Sequence, residues 1–278
     1  MVEATGILHA PRPGGIGHRL RILQVIVLAE FKLKYAGSAL GYVWSVVKPL
    51  TLFTVLYLVF TRIFKLGSVS EFYAVSLLVG IVFFSFFSDA TNQGMVSLVH
   101  RESLLRRMRF PRMLIPTAAT LTAAMTFGVN LVVVVAFIAW ERIEPQLDWV
   151  LLVPLLVELY VFILGTALVL ATLFISFRDM GQVWELAAQL MFYASPIIYP
   201  AALLPQWAQE IVFLNPFVQI LQDVRALVLY DDLPANNVTA PDVLGEFGRL
   251  IPVGVALAVF GLGVALFKRY EPWFAERA

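Results

Sequence analysis

The chain has 278 residues, 60% of them hydrophobic and only 14% charged, against the ~25% charged residues of a typical soluble domain. Water is therefore not its main solvent, and the net charge of +1 points to no strongly charged partner. With no cysteine, it carries no disulfide, thiolate metal site or thiol nucleophile. His9, His18 and His100 are scattered without ligand spacing, so they are read as solvated residues and no metal site is expected.

Residues 1–18, with Pro11, Pro13, Gly14, Gly15 and Gly17, are turn-rich and expected to form a mobile cytoplasmic tail. No apolar stretch or cleavage site of a signal peptide precedes the first helix. An amphipathic helix is expected over 19–36. At 100° per residue it shows two charged strips, Arg19/Glu30/Lys34 and Arg21/Lys32, separated by two apolar stripes that include Val27, Phe31 and Tyr35, and Ile22, Ile26 and Leu33. Its longest unbroken apolar run, Val25 to Ala29, is too short to span a bilayer, so the helix is read as lying in the interface plane. The small-residue corner Ala36 to Ala39 then leads the chain into the membrane.

Six spanning helices follow, at about 43–64, 72–92, 114–139, 149–175, 182–200 and 249–267, each near the ~20 apolar residues a bilayer requires. The fold class is all-α polytopic membrane protein, with a six-span permease domain over 43–267 and a cytoplasmic tail at 268–278. Of the lysines and arginines, 15 lie on one side of these spans and 5 on the other. The positive-inside rule puts both termini and the 93–112 loop in the cytoplasm. Between the fifth and sixth spans, Pro196, Pro200, Pro205 and Pro216 break an apolar stretch repeatedly. Two short re-entrant helices over 201–230 are expected there, with a single seventh span as the alternative, since broken backbone at membrane depth needs protein or a water-filled cavity around it. No inverted repeat is evident.

Few residues suggest chemistry. There is no Walker A pattern and no Ser/His/Asp arrangement, so the chain is read as a non-enzymatic subunit that does not itself hold ATP. The densest charge cluster runs from His100 to Arg112. Leu98, Leu104, Leu105 and Met108 give it a small apolar face, and Arg101, Glu102, Arg106 and Arg109 give it a charged rim. It reads either as an anchor on anionic lipid or as a helix, over 98–112, that docks a cytoplasmic partner. Asp89 and Glu158 are carboxylates inside expected spans, where such groups line cavities or pair with cations. Phe53, Tyr57, Phe60 and Phe64 form one helical stripe, and Phe83 and Phe87 another. Packing or lipid contact is the ordinary reading; a channel wall on which sugar rings stack is the sharper one.

These residues resemble a known family, the membrane permease of the type-two ATP-binding-cassette exporters, in its polysaccharide-exporting branch (O-antigen, teichoic acid, galactan). The similarity runs through Lys32, Lys34, Tyr35, Ser38, Leu40, Gly41, Trp44 and Pro49, then Leu104, Leu105, Phe110, Pro111, Arg112 and Pro116. It continues through Phe177-Arg178-Asp179, Ser195 to Pro200, Asn215-Pro216 and Arg225. The resemblance implies a homodimer in a bacterial inner membrane, working with two copies of a separate ATPase that holds the ATP and Mg. It implies docking of that ATPase at the 98–112 helix and the N-terminal helix, through Arg21, Lys32, Lys34 and Tyr35. It also implies outer gate helices, with Pro196, Tyr199, Asn215, Pro216 and Arg225 as gate residues, and a polyprenyl-diphosphate-linked polysaccharide as substrate. Phe53, Tyr57, Phe60, Phe83, Phe87 and Glu158 are the channel candidates. The alternatives are a drug or small-lipid exporter of the same architecture, a proton-coupled transporter using Glu158, or a membrane transferase, for which no interfacial cluster of polar residues is found.

Overall fold

The computed structural model describes residues 15–35, 41–65, 72–101, 111–229 and 238–274, and all regular structure among them is helical. Helix α1 (Ile16–Tyr35) is followed by α2 (Gly41–Leu58), which carries Pro49 and ends in a π-helical turn, Val59–Ile63. Thr51 and Thr54 donate their hydroxyls to the carbonyls four residues back, which lets a polar side chain sit in an apolar span.

Helix α3 (Tyr73–His100) is the central element. Its 28 residues extend about 42 Å at ~1.5 Å per residue, well beyond a hydrocarbon layer of roughly 30 Å. The second span was expected to end near 92 and give way to a loop; instead the helix runs on through 93–100, because Met95, Ser97 and Leu98 are buried against neighbouring helices. Helix α4 (Leu114–Trp140) follows, then α5 (Leu152–Ser176) after a 3-10 turn at Leu147–Leu151.

The expected fifth span, 182–200, divides. Helix α6 (Met180–Ala194) has 15 residues, and Ser195 turns extended at φ −80°, ψ 143°. A residue preceding proline is pushed out of the α region, so Pro196 ends the helix. Two short helices come next, α7 (Gln206–Val212) and α8 (Pro216–Val228), bent by 104° at the break between them, which is the expected pair and not the alternative of one straight seventh span. Then come α9 (Ala240–Leu244) and α10 (Leu250–Tyr270). Among the described residues five helices are long and apolar enough to cross a membrane, Val43–Ile63, Tyr73–His100, Leu114–Trp140, Leu147–Ser176 and Leu250–Tyr270, or six if the bent pair α7 and α8 counts as one broken span. The chain is an all-helical, multi-pass membrane protein.

Where α5 meets α10 the backbones touch. A Cβ on Gly165 would stand 2.5 Å from the Phe260 Cα, and one on Gly263 2.5 Å from the Gly165 carbonyl oxygen. Small residues permit such close approach, which replaces the hydrophobic driving force that lipid does not provide. At the end of the bundle that gathers α1, Arg112 and the C-terminal turn Glu271–Trp273, Phe274 is buried with Leu98, Ile115 and Phe267. The Arg112 amide donates to Glu271 Oε1 at 3.1 Å. Within the segment expected as a tail, Glu271 and Phe274 are therefore held on the bundle.

Candidate functional site

A cleft of about 1280 Å³ opens among α1, α2, α3, α4 and α6. Its polar wall comes from α3: Ser85, Ser88, Asp89, Asn92 and Gln93 line it, at the 3- and 4-residue spacing that keeps them on one face of a helix. Helix α4 adds Thr122, Thr126 and Asn130, one per turn, and α6 adds Glu185 and Gln189. Trp44, Ser45 and Lys48 face them from α2. Near one end Glu30 of α1 forms an ion pair with Arg101, and the Thr122 hydroxyl donates to Glu30 Oε2 at 3.3 Å. Asn130 is only 6% exposed, and its Oδ1 has no hydrogen-bond partner among the described residues.

Asp89 is the one residue singled out for burial in a span that reaches this cleft. The channel candidates do not line it. Phe53 stacks on Tyr57 (5.6 Å between centroids) and meets Phe137 edge-on (5.4 Å), and Tyr57 stacks on Tyr73 (6.4 Å). Phe60 stacks on Phe64 at 5.1 Å. Phe83 packs edge-on against Phe127, and Phe87 lies between Phe162 and Phe217. Phe53, Tyr57, Phe83 and Phe87 thus pack against rings of other helices, where large apolar groups are shielded from lipid and water, whereas Phe60 meets its near neighbour Phe64, which is exposed. The cleft-lining face was legible as a polar stripe at helical spacing in 85–93, a signal masked by the aromatics interleaved with it at 83, 84, 86 and 87.

Glu158 is within electrostatic reach of Asp223, Gln219 and Arg249 and does not line the cleft. Arg249 grips Asp223 with two bonds of 2.9 Å, and Gln219 Nε2 donates to the same carboxylate at 2.7 Å. Glu158 Oε1 is buried without a hydrogen-bond partner among the described residues. The carboxylate is thus a helix–helix contact between α5 and the α8 region.

Of the outer set, Arg225 is 2% exposed and ties three segments together. It donates to Ser76 O from Nε (3.2 Å) and Nη2 (2.8 Å), to Pro196 O from Nη1 (2.6 Å) and to Ile197 O from Nη2 (2.9 Å). The Tyr73 hydroxyl donates to Ile198 O at 2.8 Å. The carbonyls freed where α6 breaks at Pro196 are thus met by side chains, as buried backbone requires. Tyr199 bonds the Tyr193 and Ala194 carbonyls at 3.2 Å, closing the end of α6. Asn215 caps α8 by accepting from the Phe217 amide at 3.0 Å, and Pro216 takes the first helical position, where a missing N–H costs nothing.

Of the docking set, Leu98 is fully buried and Arg101 is turned to Glu30, so neither forms an open rim. Glu102, Leu105, Arg106, Met108 and Arg109 lie outside the described residues, as do Ser38, Leu40, Leu104 and Phe110. On α1, Arg21 and Lys32 are exposed; the side chains of Lys34 and Tyr35 lie outside the description.

The family described as ABC-2 type transporter matches residues 21–229, three quarters of the chain, from α1 to the end of α8. The chain belongs to that family. Among curated relatives it is 27% identical over 262 residues to the O-antigen export system permease protein RfbA of Klebsiella pneumoniae, covering 94% of this chain and 96% of that protein. The protein of the same name from Myxococcus xanthus is 27% identical, with 77% and 82% covered. The capsule polysaccharide export inner-membrane protein CtrC of Neisseria meningitidis is 27% identical, with 74% and 78% covered. The matched stretch of this transporter contains every helix that lines the cleft and the whole Arg225 network.

Proposed function

We propose that this chain is the transmembrane permease subunit of an ATP-driven exporter that moves a lipid-linked polysaccharide out of the cytoplasm across the plasma membrane. The observation that carries the reading is a large cleft inside an apolar bundle, where hydroxyls, amides and carboxylates sit among apolar and aromatic side chains such as Trp44, Phe84 and Phe192. A sugar polymer sliding through needs many weak, exchangeable hydrogen bonds and no tight site, and this lining offers them. The family and the relatives named as O-antigen and capsule export permeases support the substrate class.

ATP is hydrolysed on a separate cytoplasmic ATPase, two copies to a permease homodimer, with both termini of this chain facing the ATPase. The excess of lysine and arginine near α1, Arg112 and Lys268-Arg269 supports that orientation. Docking involves α1 and the 98–112 segment. The Glu30–Arg101 pair joins α1 to the end of α3, so displacement of α1 by the closing ATPases pulls on the helix that carries the polar stripe. A charged pair shielded from water resists separation, which suits it to transmit that motion. Glu158 does not line this cleft, which favours the ATP-driven reading over the gradient-driven alternative.

The test is loss and rescue in the native host. Deleting the chain leaves polysaccharide inside the cell and absent from the surface, and restoring it together with the ATPase that co-purifies with it returns export. Recovery of the chain alone from mild detergent, or surface polysaccharide unaffected by deletion, overturns the reading.

A further inference from the structure

The charges in the cleft do not balance, and their arrangement bears on which polymer it takes. Glu30 and Arg101 neutralise each other. Asp89 on α3 and Glu185 on α6 remain, each without an ion pair among the described residues, against Lys48 alone on α2. The walls around them are apolar helices, which weaken screening and strengthen the field of the one carboxylate left in excess. The same wall is rich in acceptors. Asn130, more than nine-tenths buried, lines it with an Oδ1 that has no hydrogen-bond partner among the described residues. Carboxylates and an orphaned amide oxygen require donors, and a buried acceptor left unmet carries a penalty. Sugar hydroxyls and the N–H of amino sugars supply donors; the carboxylate of an acidic sugar supplies none and adds like charge.

We infer that the cleft admits neutral or amino-sugar polymers and rejects acidic ones, with Asp89 and Glu185 as the specificity-determining residues. The inference rests on the export reading above and narrows its substrate class. An acidic polymer would carry many carboxylates past Asp89 and Glu185 in succession, each encounter repulsive in a medium that screens poorly. A neutral chain exchanges one set of hydroxyl donors for the next along the stripe.

The chain has no native cysteine, so a Ser88→Cys variant places a single thiol in the cleft. In the permease–ATPase complex reconstituted in lipid, its modification rates by the trimethylammonium and sulfonate forms of ethyl methanethiosulfonate are compared, each normalised to a small free thiol. The cationic reagent is expected to be favoured on the order of tenfold, and Asp89→Asn with Glu185→Gln is expected to return the ratio to that of the free thiol. A ratio near the free-thiol value in the otherwise unaltered cleft, or one favouring the anionic reagent, overturns the inference. In cells, the chain and its ATPase replace the exporters of hosts that make a neutral and an acidic polysaccharide. Surface display of the neutral polymer alone is expected, with the Asp89→Asn/Glu185→Gln variant gaining the acidic one; a gain of transport cannot arise from misfolding. Equal display of both by the unaltered chain overturns the selectivity and leaves export standing. Display of neither removes the export reading and the selectivity with it.

Discussion

Arg225 and Pro196 meet through a 2.6 Å hydrogen bond from guanidinium to main-chain carbonyl, and that bond joins helix α8 to the point where α6 breaks. The same guanidinium holds the Ile197 and Ser76 carbonyls, so the broken segment, the start of α3 and α8 move as one piece. Arg225→Ala leaves three buried carbonyls without their donor and is expected to destabilise the protein by roughly 3 kcal/mol. Arg225→Lys retains the charge but not the planar fork, and should recover only part of that. Thermal unfolding of the purified chain in detergent measures both; equal, small losses would show that the carbonyls find other donors.

Gly80 lies under this arginine. A Cβ there would stand 2.7 Å from Arg225 Nη2 and 3.0 Å from Ile197 Cγ2. Gly80→Ala is therefore expected to lower stability, and its effect should not add to that of Arg225→Ala, since both break one network. Gly128→Ala on α4, where the new methyl meets nothing within 4 Å, is the control. It should be neutral or gain up to ~1 kcal/mol from helix propensity.

At the α5–α10 crossing the obstacle is backbone. Gly165→Ala directs a methyl at the Phe260 Cα and amide nitrogen, 2.5 and 2.6 Å away. Neither can rotate aside, so the helices must separate, and a loss of about 2 kcal/mol or more is expected. Gly261→Ala, next to Phe260 in sequence but with nothing within 4 Å of the added methyl, should leave unfolding unchanged.

Phe53 fills the space between Tyr57 and Phe137. Phe53→Ala should cost roughly 3 kcal/mol through the cavity it leaves, seen as earlier unfolding, with export per folded molecule unchanged. A well-folded Phe53→Ala protein that fails only in export would instead return the aromatic stripe to the conduit.

Glu158→Gln removes a carboxyl group near Asp223; Glu158 Oε1 is buried without a hydrogen-bond partner among the described residues. Burying an amide costs less than burying a charge. Stability equal to or above that of the parent is expected, with export retained. Loss of export from a stable Glu158→Gln protein would favour a proton-linked role.

The sequence by itself determined the solvent, the helical class and the broken outer segment, but not where the second and fifth spans end. Some 20 apolar residues in a row must bury their backbone polarity internally, which only a helix does for a single segment. Pro196, Asn215-Pro216 and the other prolines interrupt helices through local sterics, which need no tertiary information. A helix near the expected 19–36 was equally legible, and α1 runs over Ile16–Tyr35. Which face of each helix meets which neighbour is not local, and only the tertiary structure decided it. The aromatics of α2 and α3 and the polar stripe of α3 have similar periodicity, yet Phe83 and Phe87 turn to packed rings while Ser85, Ser88, Asp89, Asn92 and Gln93 turn to the cleft. Pairing Glu30 with Arg101, 71 positions apart, and Arg225 with carbonyls at 76, 196 and 197, depends on helices distant in sequence arriving side by side. A one-dimensional pattern records the period of a face; the partner that face meets is settled by the packing of the bundle.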